Sequence, residues 1–239
     1  MTALTYAVIA ALGNVAGGIA VARGAKLGLR LISGCVAFGA GFMLSVALAE
    51  VLPEAFEMGG RSAALYVLLG YLLVHLSQHT ATEHFHFGEE THSVTHQAGV
   101  TALIGLLLHT FFDGVAIASG FAVSQRLGIL VFLAILLHKL PEGVTISSIQ
   151  IAGGTEPNRA VGSAALLGAA TVAGVLVTDS VAFLTAHGLA LSAGVTIYVA
   201  ASNLVPEFQG KKGWGLPMAF FLGAGGFFAT KELLGSLGV

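Results

Sequence analysis

The amino-acid sequence predicts an all-α integral membrane protein with eight transmembrane helices. Of its 239 residues, 56% are hydrophobic and only 9% are charged, whereas a soluble domain carries about a quarter charged residues. The apolar residues collect in windows of about 20, which is the length that crosses the hydrocarbon core of a bilayer. These windows are long and lack strict alternation, so they indicate helices rather than the strands of a membrane barrel.

The eight predicted spans are joined by short polar or glycine-rich connections. We place the spans at about residues 3–22, 31–52, 62–80, 99–121, 127–151, 160–185, 188–207 and 215–236. The longest connection, residues 81–98, reads ATEHFHFGEETHSVTHQA. The first span lacks a charged leading segment, so we expect a membrane helix there and no separate signal peptide. The whole chain, 1–239, is predicted to be one transmembrane domain.

Basic residues in the short loops predict the orientation of the chain. With both termini outside, the cytoplasmic loops contain Arg23, Lys26, Arg30, Arg159, Lys211 and Lys212, and the outer side contains Arg61, Arg126 and Lys231. Six basic residues against three favour this arrangement. The histidine-rich loop at 81–98 is then cytoplasmic.

Two related segments suggest an internal repeat. The second span ends in EVLPEAF (50–56) and the seventh in NLVPEFQ (203–209). Odd and even spans run in opposite directions, so these segments lie on opposite membrane faces. This pattern predicts an inverted repeat of helices 1–3 and 6–8 around helices 4 and 5, as in several transporters. Segments such as GNVAGG (13–18) also let helices approach closely, although ordinary membrane-helix packing explains most of them.

Two ionisable pairs lie in the middle of consecutive spans. His109 and Asp113 occur in HTFFDG (109–114), and His138 and Glu142 occur in HKLPEG (138–143). Residues four apart share one helix face, so each pair points in one direction. A charge at the bilayer centre costs at least about 2.5–3.5 kcal/mol. Two carboxylates and two imidazoles at one depth are suitable ligands for a divalent cation. The alternative is that each pair forms local hydrogen bonds and only ties the bundle together.

Pro141 adds a second signal within the fifth span. It removes one backbone hydrogen bond and exposes the carbonyl group of Leu137. A free carbonyl group at this depth is tolerated where it lines a cavity or where a neighbour satisfies it. A kink unrelated to a binding site is the alternative.

HTFFDG and HKLPEG, in this order at mid-span, resemble the paired motifs of ZIP (Zrt/Irt-like) divalent metal transporters of the prokaryotic type. The LPEA segment, the histidine-rich loop and the eight-span layout are similar too, so the resemblance covers essentially the whole chain. It implies a transporter and not an enzyme, with Zn²⁺, Cd²⁺, Fe²⁺, Mn²⁺ or Co²⁺ as the transported substrate and no organic cofactor. It also implies a homodimer in the bacterial inner membrane that moves metal into the cytoplasm by an elevator-type motion.

The sequence departs from that family pattern at a second metal site. Many relatives use the residue after each motif histidine and a carboxylate on the sixth span. The corresponding residues here are Thr110, Lys139 and, by helix register, Thr171. A hydroxyl group is a poor ligand, and an ammonium group offers no acceptor. We therefore expect one metal ion, with Lys139 neutralising surplus carboxylate charge. The alternative is that Lys139 faces away and snorkels.

Two further departures concern the fourth span. Phe112 replaces the usual proline, so this helix is expected to be less kinked. Asp113 replaces glutamate, which shortens that ligand by one methylene group and can tune metal selectivity.

Peripheral candidates surround the predicted metal site. Glu50 and Glu54, at the outer end of the second span, are candidate entrance residues. The candidate exit residues are His75, His79, His84, His86, His92, His96 and Glu207. The alternative for the loop histidines is a solvated segment with no role in metal handling.

Other functional classes fit the sequence less well. An intramembrane metal-dependent enzyme using the same ligands is the main alternative, but no His-Glu-x-x-His segment is present. A haem site between His109 and His138 would leave the neighbouring carboxylates without a role. The single cysteine, Cys35, excludes a disulfide within the chain. No basic tract suggests nucleic acid as a partner.

Overall fold

The computed structural model of the protein describes residues 2–24, 29–81 and 96–238, with side chains except at residues 29, 79–81 and 96–98. In these ranges the backbone is helical and contains no strand. The α-helices are α1 (Ala3–Ala22), α2 (Leu29–Val46), α3 (Leu52–Gly59), α4 (Ala63–Ala81), α5 (His96–Val123), α6 (Gln125–Ala152), α7 (Pro157–Ser180), α8 (Ala182–Tyr198), α9 (Pro206–Gln209) and α10 (Gly215–Ser236).

Six helical segments of the described chain are long and apolar enough to cross a membrane. They are Ala3–Ala22, Arg30–Gln78, Gly99–Val123, Gln125–Ala152, Pro157–Ser180 and Ala182–Gln209. Arg30–Gln78 is 49 residues long and contains both the second and third predicted spans. α10 coincides with the eighth predicted span but is not among the six, since its glycines, Lys231 and Glu232 lower its hydropathy. The all-helical membrane class is confirmed, and the count of eight spans stays a prediction.

The two related segments, EVLPEAF and NLVPEFQ, share one local structure. A π-helical segment, Ala47–Val51, joins α2 to α3, and a second, Val199–Leu204, joins α8 to α9. In each case a proline, Pro53 or Pro206, follows within two residues. Proline has no N–H to donate, so the ordinary hydrogen-bond ladder is interrupted and a wider turn forms before it.

Glycines join the helices in two groups. A Cβ atom on any of these glycines would overlap a carbonyl oxygen of the facing helix, so only glycine permits the contact. In the first group such contacts join α1 to α6 and α5 to α7: Gly17 on Leu140, Gly143 on Asn14, Gly114 on Thr171 and Gly174 on Phe111. In the second group they join α2 to α10 and α4 to α8: Gly41 on Phe220, Gly223 on Phe38, Gly70 on Leu191 and Gly194 on Val67.

The two groups meet where α2 contacts α6 and where α5 contacts α8. We refer to α1, α5, α6 and α7 as the inner group, and to α2, α4, α8 and α10 as the outer group. Both motif helices belong to the inner group, and the backbone contacts of α1 and α7 hold them from either side. The fold thus fixes the two ionisable pairs within one closely packed unit.

Candidate metal centre

The two motif helices bring their ionisable side chains to one buried point. α5 supplies His109 and Asp113, and α6 supplies His138 and Glu142. The residues are 2%, 2%, 3% and 9% exposed, respectively. One ligand atom from each lies within 4.8 Å of the others, and no other group of three or more potential ligands of this kind is found among the described residues. Tetrahedral zinc with bonds of about 2.0–2.2 Å separates its ligands by about 3.4 Å, so the two imidazoles already lie at a suitable distance from Asp113, and the ligand atoms that are farthest apart must move closer to bind the ion.

The orientation of His138 presents a lone pair towards Asp113. Its Nδ1 lies 3.1 Å from the carbonyl oxygen of Ala134. A carbonyl oxygen only accepts, so Nδ1 carries a proton, and in the neutral ring Nε2 is left with its lone pair. Nε2 lies 3.4 Å from Oδ2 of Asp113. In the neutral ring these two atoms are both acceptors, and a cation between them would contact both.

His109 approaches the same carboxylate oxygen from the other motif helix. Its Nε2 lies 3.5 Å from Oδ2 of Asp113. Its Nδ1 is buried and has no hydrogen-bond partner in the described structure. Both imidazoles therefore converge on one oxygen, and a cation bound there would contact all three groups.

Lys139 points into the centre. The residue is 0% exposed, and its Nζ donates to Oδ2 of Asp113 at 2.6 Å and to Oε2 of Glu142 at 2.8 Å. These contacts exclude the alternative in which the lysine faces away and snorkels to the interface. An ammonium group thus bridges the two carboxylates that belong to the predicted ligand set.

The two threonines predicted at the second metal position differ in their contacts. Thr110 is fully buried, and its Oγ1 donates to Oε1 of Glu142 at 2.6 Å. Thr171 is equally buried, but its Oγ1 has no hydrogen-bond partner in the described structure. One threonine therefore holds a carboxylate in place, and the other contributes no hydrogen bond to the centre.

Asn14 of α1 is a member of the centre that the sequence analysis did not identify. It is 0% exposed. With its amide oriented by its neighbours, Nδ2 donates to the carbonyl oxygen of Lys139 at 2.5 Å and to Oε2 of Glu142 at 3.3 Å. The available signal was an amide inside the otherwise apolar GNVAGG segment, which had been interpreted only as a packing segment.

The other motif residues lie within the helices. α6 continues as an α-helix through Pro141, which is buried. Phe112 is also buried and belongs to the main apolar core. Neither residue supplies a ligand.

The peripheral candidates lie apart from the four-residue group. Glu50 forms an ion pair with Lys231 of α10, so its charge is compensated within the protein. Glu54 of α3 and Glu207 of α9 are half-buried. The ring of His75 meets Tyr198 edge-on, with centroids 5.7 Å apart. The side chains of His79 and His96, and the residues His84, His86 and His92, lie outside the described part of the chain.

The fold and the centre together define a class of protein. It is a multi-span helical membrane protein with a buried histidine and carboxylate group that can bind a metal ion. The family model described as ZIP zinc transporter matches residues 88–230, which is more than half of the chain and includes both motifs. The chain belongs to the ZIP zinc transporter family. The resemblance to the ZIP family inferred from the motifs is confirmed over these residues, and the prokaryotic type stays a prediction. No curated protein matched the chain.

Proposed function

We propose that this protein carries Zn²⁺, or a related ion such as Cd²⁺, Fe²⁺, Mn²⁺ or Co²⁺, into the cytoplasm through one metal site at mid-membrane. The ligands are His109, Asp113, His138 and Glu142. The convergence of their ligand atoms at a buried point is the observation that carries the proposal. Family membership supports metal transport and gives no support to an enzyme. Four protein ligands also fill tetrahedral zinc and leave no position for a reactive water.

The site holds a single metal ion because Lys139 occupies the place of a second one. Asp113 and Glu142 contribute two negative charges, and the ammonium group between them compensates one. With one divalent ion bound, the net charge of the centre is +1. With two ions bound, the net charge would be +3 in an interior without water. Like charges repel strongly in such a medium, so the second ion is excluded.

We place the centre in an inverted repeat of eight spans, in which helices 1–3 and 6–8 surround helices 4 and 5. The glycine contacts support this arrangement. α1 meets α6 through two residues three apart on each helix, and α7 meets α5 with the same spacing. The four pairs are Asn14 and Gly17, Leu140 and Gly143, Thr171 and Gly174, and Phe111 and Gly114. The contacts of α2 with α10 and of α4 with α8 repeat this spacing in the outer group.

Transport proceeds by alternating access of elevator type, with the inner group moving against the outer group. Backbone contacts at glycines join α1 to α6 and α5 to α7 within the inner group, and α2 to α10 and α4 to α8 within the outer group, which supports motion of one group against the other. The metal sheds its water and binds the four ligands. After the movement it faces the cytoplasm, and protonation of the imidazoles or carboxylates aids its release, since these groups bind metal only when deprotonated.

The remaining parts of the proposal concern the setting of the chain. The protein is one transmembrane domain and forms a homodimer in a bacterial inner membrane, with both termini outside and the 81–98 loop in the cytoplasm. Glu50 and Glu54 lie on the entrance side, and Glu50 forms an ion pair with Lys231. His75, Glu207 and the loop histidines lie on the exit side.

Purified protein in liposomes that contain a metal-sensitive dye tests the proposal. Wild type should take up Zn²⁺, and His138→Ala or Glu142→Ala should abolish uptake because each removes a ligand. Ser147→Ala is the control, since Ser147 is buried in the same helix but donates to the carbonyl oxygen of Ala160, away from the centre. Uptake that persists in both ligand variants would refute the site.

A further inference from the structure

Glu142 has an unusual number of hydrogen-bond donors for a residue in the apolar interior. Thr110 donates to its Oε1, and Lys139 donates to its Oε2. The amide of Asn14 adds a third donor, 3.3 Å from the same Oε2. Only Asn14 among these donors comes from outside the two motif helices, so it connects α1 to the centre.

The direction of the Asn14 amide follows from the charges around it. One amide orientation would place its oxygen against two acceptors, the carbonyl oxygen of Lys139 and the carboxylate of Glu142. Three facing oxygens are stable only if a cation lies between them. The ammonium group of Lys139 is already 2.8 Å from that carboxylate oxygen and would repel such a cation. The orientation in which Nδ2 donates is therefore the stable one.

The backbone around Asn14 leaves this side chain little freedom. The backbone carbonyl oxygen of Asn14 contacts Gly143, the residue directly after Glu142. The contact is so close that a Cβ atom on residue 143 would overlap this oxygen. Gly17 makes the matching contact with Leu140 one turn away. Because α1 and α6 are joined on both sides of Glu142, the amide lies at a fixed distance from the carboxylate.

We infer that Asn14 is a positioning residue, which fixes the carboxylate of Glu142 for metal binding through a donated hydrogen bond. The inference deepens the proposed function and rests on it. The amide is neutral, so it orients an ionised ligand without adding charge to the centre. Holding the ligand in its binding orientation before the metal arrives reduces the ordering cost of binding, which raises metal affinity.

Two substitutions separate positioning from space filling. Asn14→Leu keeps the branched shape but lacks the donor, and Asn14→Ala lacks both. We expect Asn14→Leu and Asn14→Ala each to weaken Zn²⁺ binding about 10- to 100-fold, the worth of one hydrogen bond to a charged group. In liposome uptake, the KM for Zn²⁺ should rise more than kcat falls. Zn²⁺ affinity of the purified protein is measured by chelator competition.

Ser147→Ala is the matched control, because it removes a buried hydrogen bond of α6, the helix that carries Glu142, without contacting the carboxylates. It should lower Tm while leaving Zn²⁺ affinity unchanged. Tm is measured for every variant without metal, so that affinity is compared only between folded samples. If Asn14→Leu does not fold, Asn14→Val, which is also branched, is smaller and lacks the donor, replaces it in the comparison with Asn14→Ala and Ser147→Ala.

The outcomes separate the inference from the proposed function. Wild type that binds Zn²⁺, with Asn14→Leu binding it equally well, would overturn the positioning role and leave the four-ligand site standing. A loss of affinity in Asn14→Ala alone would also overturn it, since shape would then be sufficient. Wild type that binds no metal would overturn the proposed function and the inference together.

Discussion

The two halves of the metal centre have nearly the same frame and different polar groups. Each half is a motif helix that presents a histidine, a carboxylate one turn later and then a glycine packed against a bracing helix. The position after the histidine is Thr110 in α5 and Lys139 in α6. The residue on the bracing helix is Thr171 in α7 and Asn14 in α1. One half therefore offers two hydroxyl groups, and the other an ammonium and an amide.

This difference gives the two carboxylates different tasks. Glu142 accepts hydrogen bonds from Thr110, Lys139 and Asn14. Oδ2 of Asp113 accepts one from Lys139 and faces both imidazoles. Glu142 is thus a candidate ligand held in place by surrounding donors, and Asp113 is the candidate ligand on which the histidines converge. Two corresponding positions, each occupied by a different residue in the two halves, therefore make a centre with a symmetric backbone arrangement asymmetric in its polar groups.

The largest effect is expected from removing the ammonium group. Lys139→Met leaves two buried carboxylates without a cation, and breaking a buried ion pair in this way costs about 3–5 kcal/mol. The metal-free variant should have a much lower Tm than wild type. Saturating Cd²⁺ should restore most of that loss, because the metal supplies the missing positive charge. Thermal unfolding with and without Cd²⁺ measures the loss of Tm and its recovery. A metal-free Tm equal to that of wild type would contradict the bridging role of Lys139.

Thr110→Val removes the donor that crosses between the halves. Its hydroxyl group is the only contribution of the α5 half to Glu142 among the described hydrogen bonds. A hydrogen bond to a charged group is worth about 1.5–3 kcal/mol, so Zn²⁺ affinity should fall by at least about tenfold. Chelator competition on the purified variant measures this. Equal affinities of the variant and wild type would show that Glu142 needs no donor from α5.

Thr171→Val should have a smaller effect of the opposite sign on stability. The hydroxyl group of Thr171 is buried without a partner, and a buried unpaired polar group costs about 1–3 kcal/mol. Valine keeps the shape and removes that cost, so the Tm of the metal-free protein should rise by a few degrees. A fall in Tm would mean that the hydroxyl group has a favourable interaction.

The smallest effect is expected outside the four-residue group, at the ion pair of Glu50 and Lys231. The side chains are 18% and 31% exposed, and partly exposed pairs contribute roughly 0–1 kcal/mol. Glu50→Gln should change Tm by no more than a few degrees and leave Zn²⁺ affinity unchanged. Uptake kinetics also test the entrance role of Glu50. If Glu50 attracts incoming metal, Glu50→Gln should have a higher KM for Zn²⁺ than wild type.

The sequence was informative where local spacing determines geometry. A four-residue spacing places His109 beside Asp113 and His138 beside Glu142 on any helix, so the four residues were found without a structure. The inward direction of Lys139 was predicted from the surplus carboxylate charge that its ammonium group would neutralise. The helical membrane class followed from composition and the length of the apolar runs.

Relations between distant segments were not readable in the same way. Asn14 joins the centre only because α1 packs on α6, and nothing local in GNVAGG specifies that neighbour. The ion pair of Glu50 with Lys231 was not predicted either, because Lys231 lies in the last helix, far along the chain. The likeness of EVLPEAF to NLVPEFQ was visible in the sequence, but the π-helical turns before Pro53 and Pro206 were not predicted from it.

The number of metal ions bound per folded protein tests the central claim most directly. It is measured on purified wild type and Lys139→Asp after equilibration with Zn²⁺ and removal of free metal. We predict one ion in wild type and two in Lys139→Asp, where a carboxylate replaces the ammonium group that occupies the second position. Two ions in wild type, or none in either protein, would contradict the account.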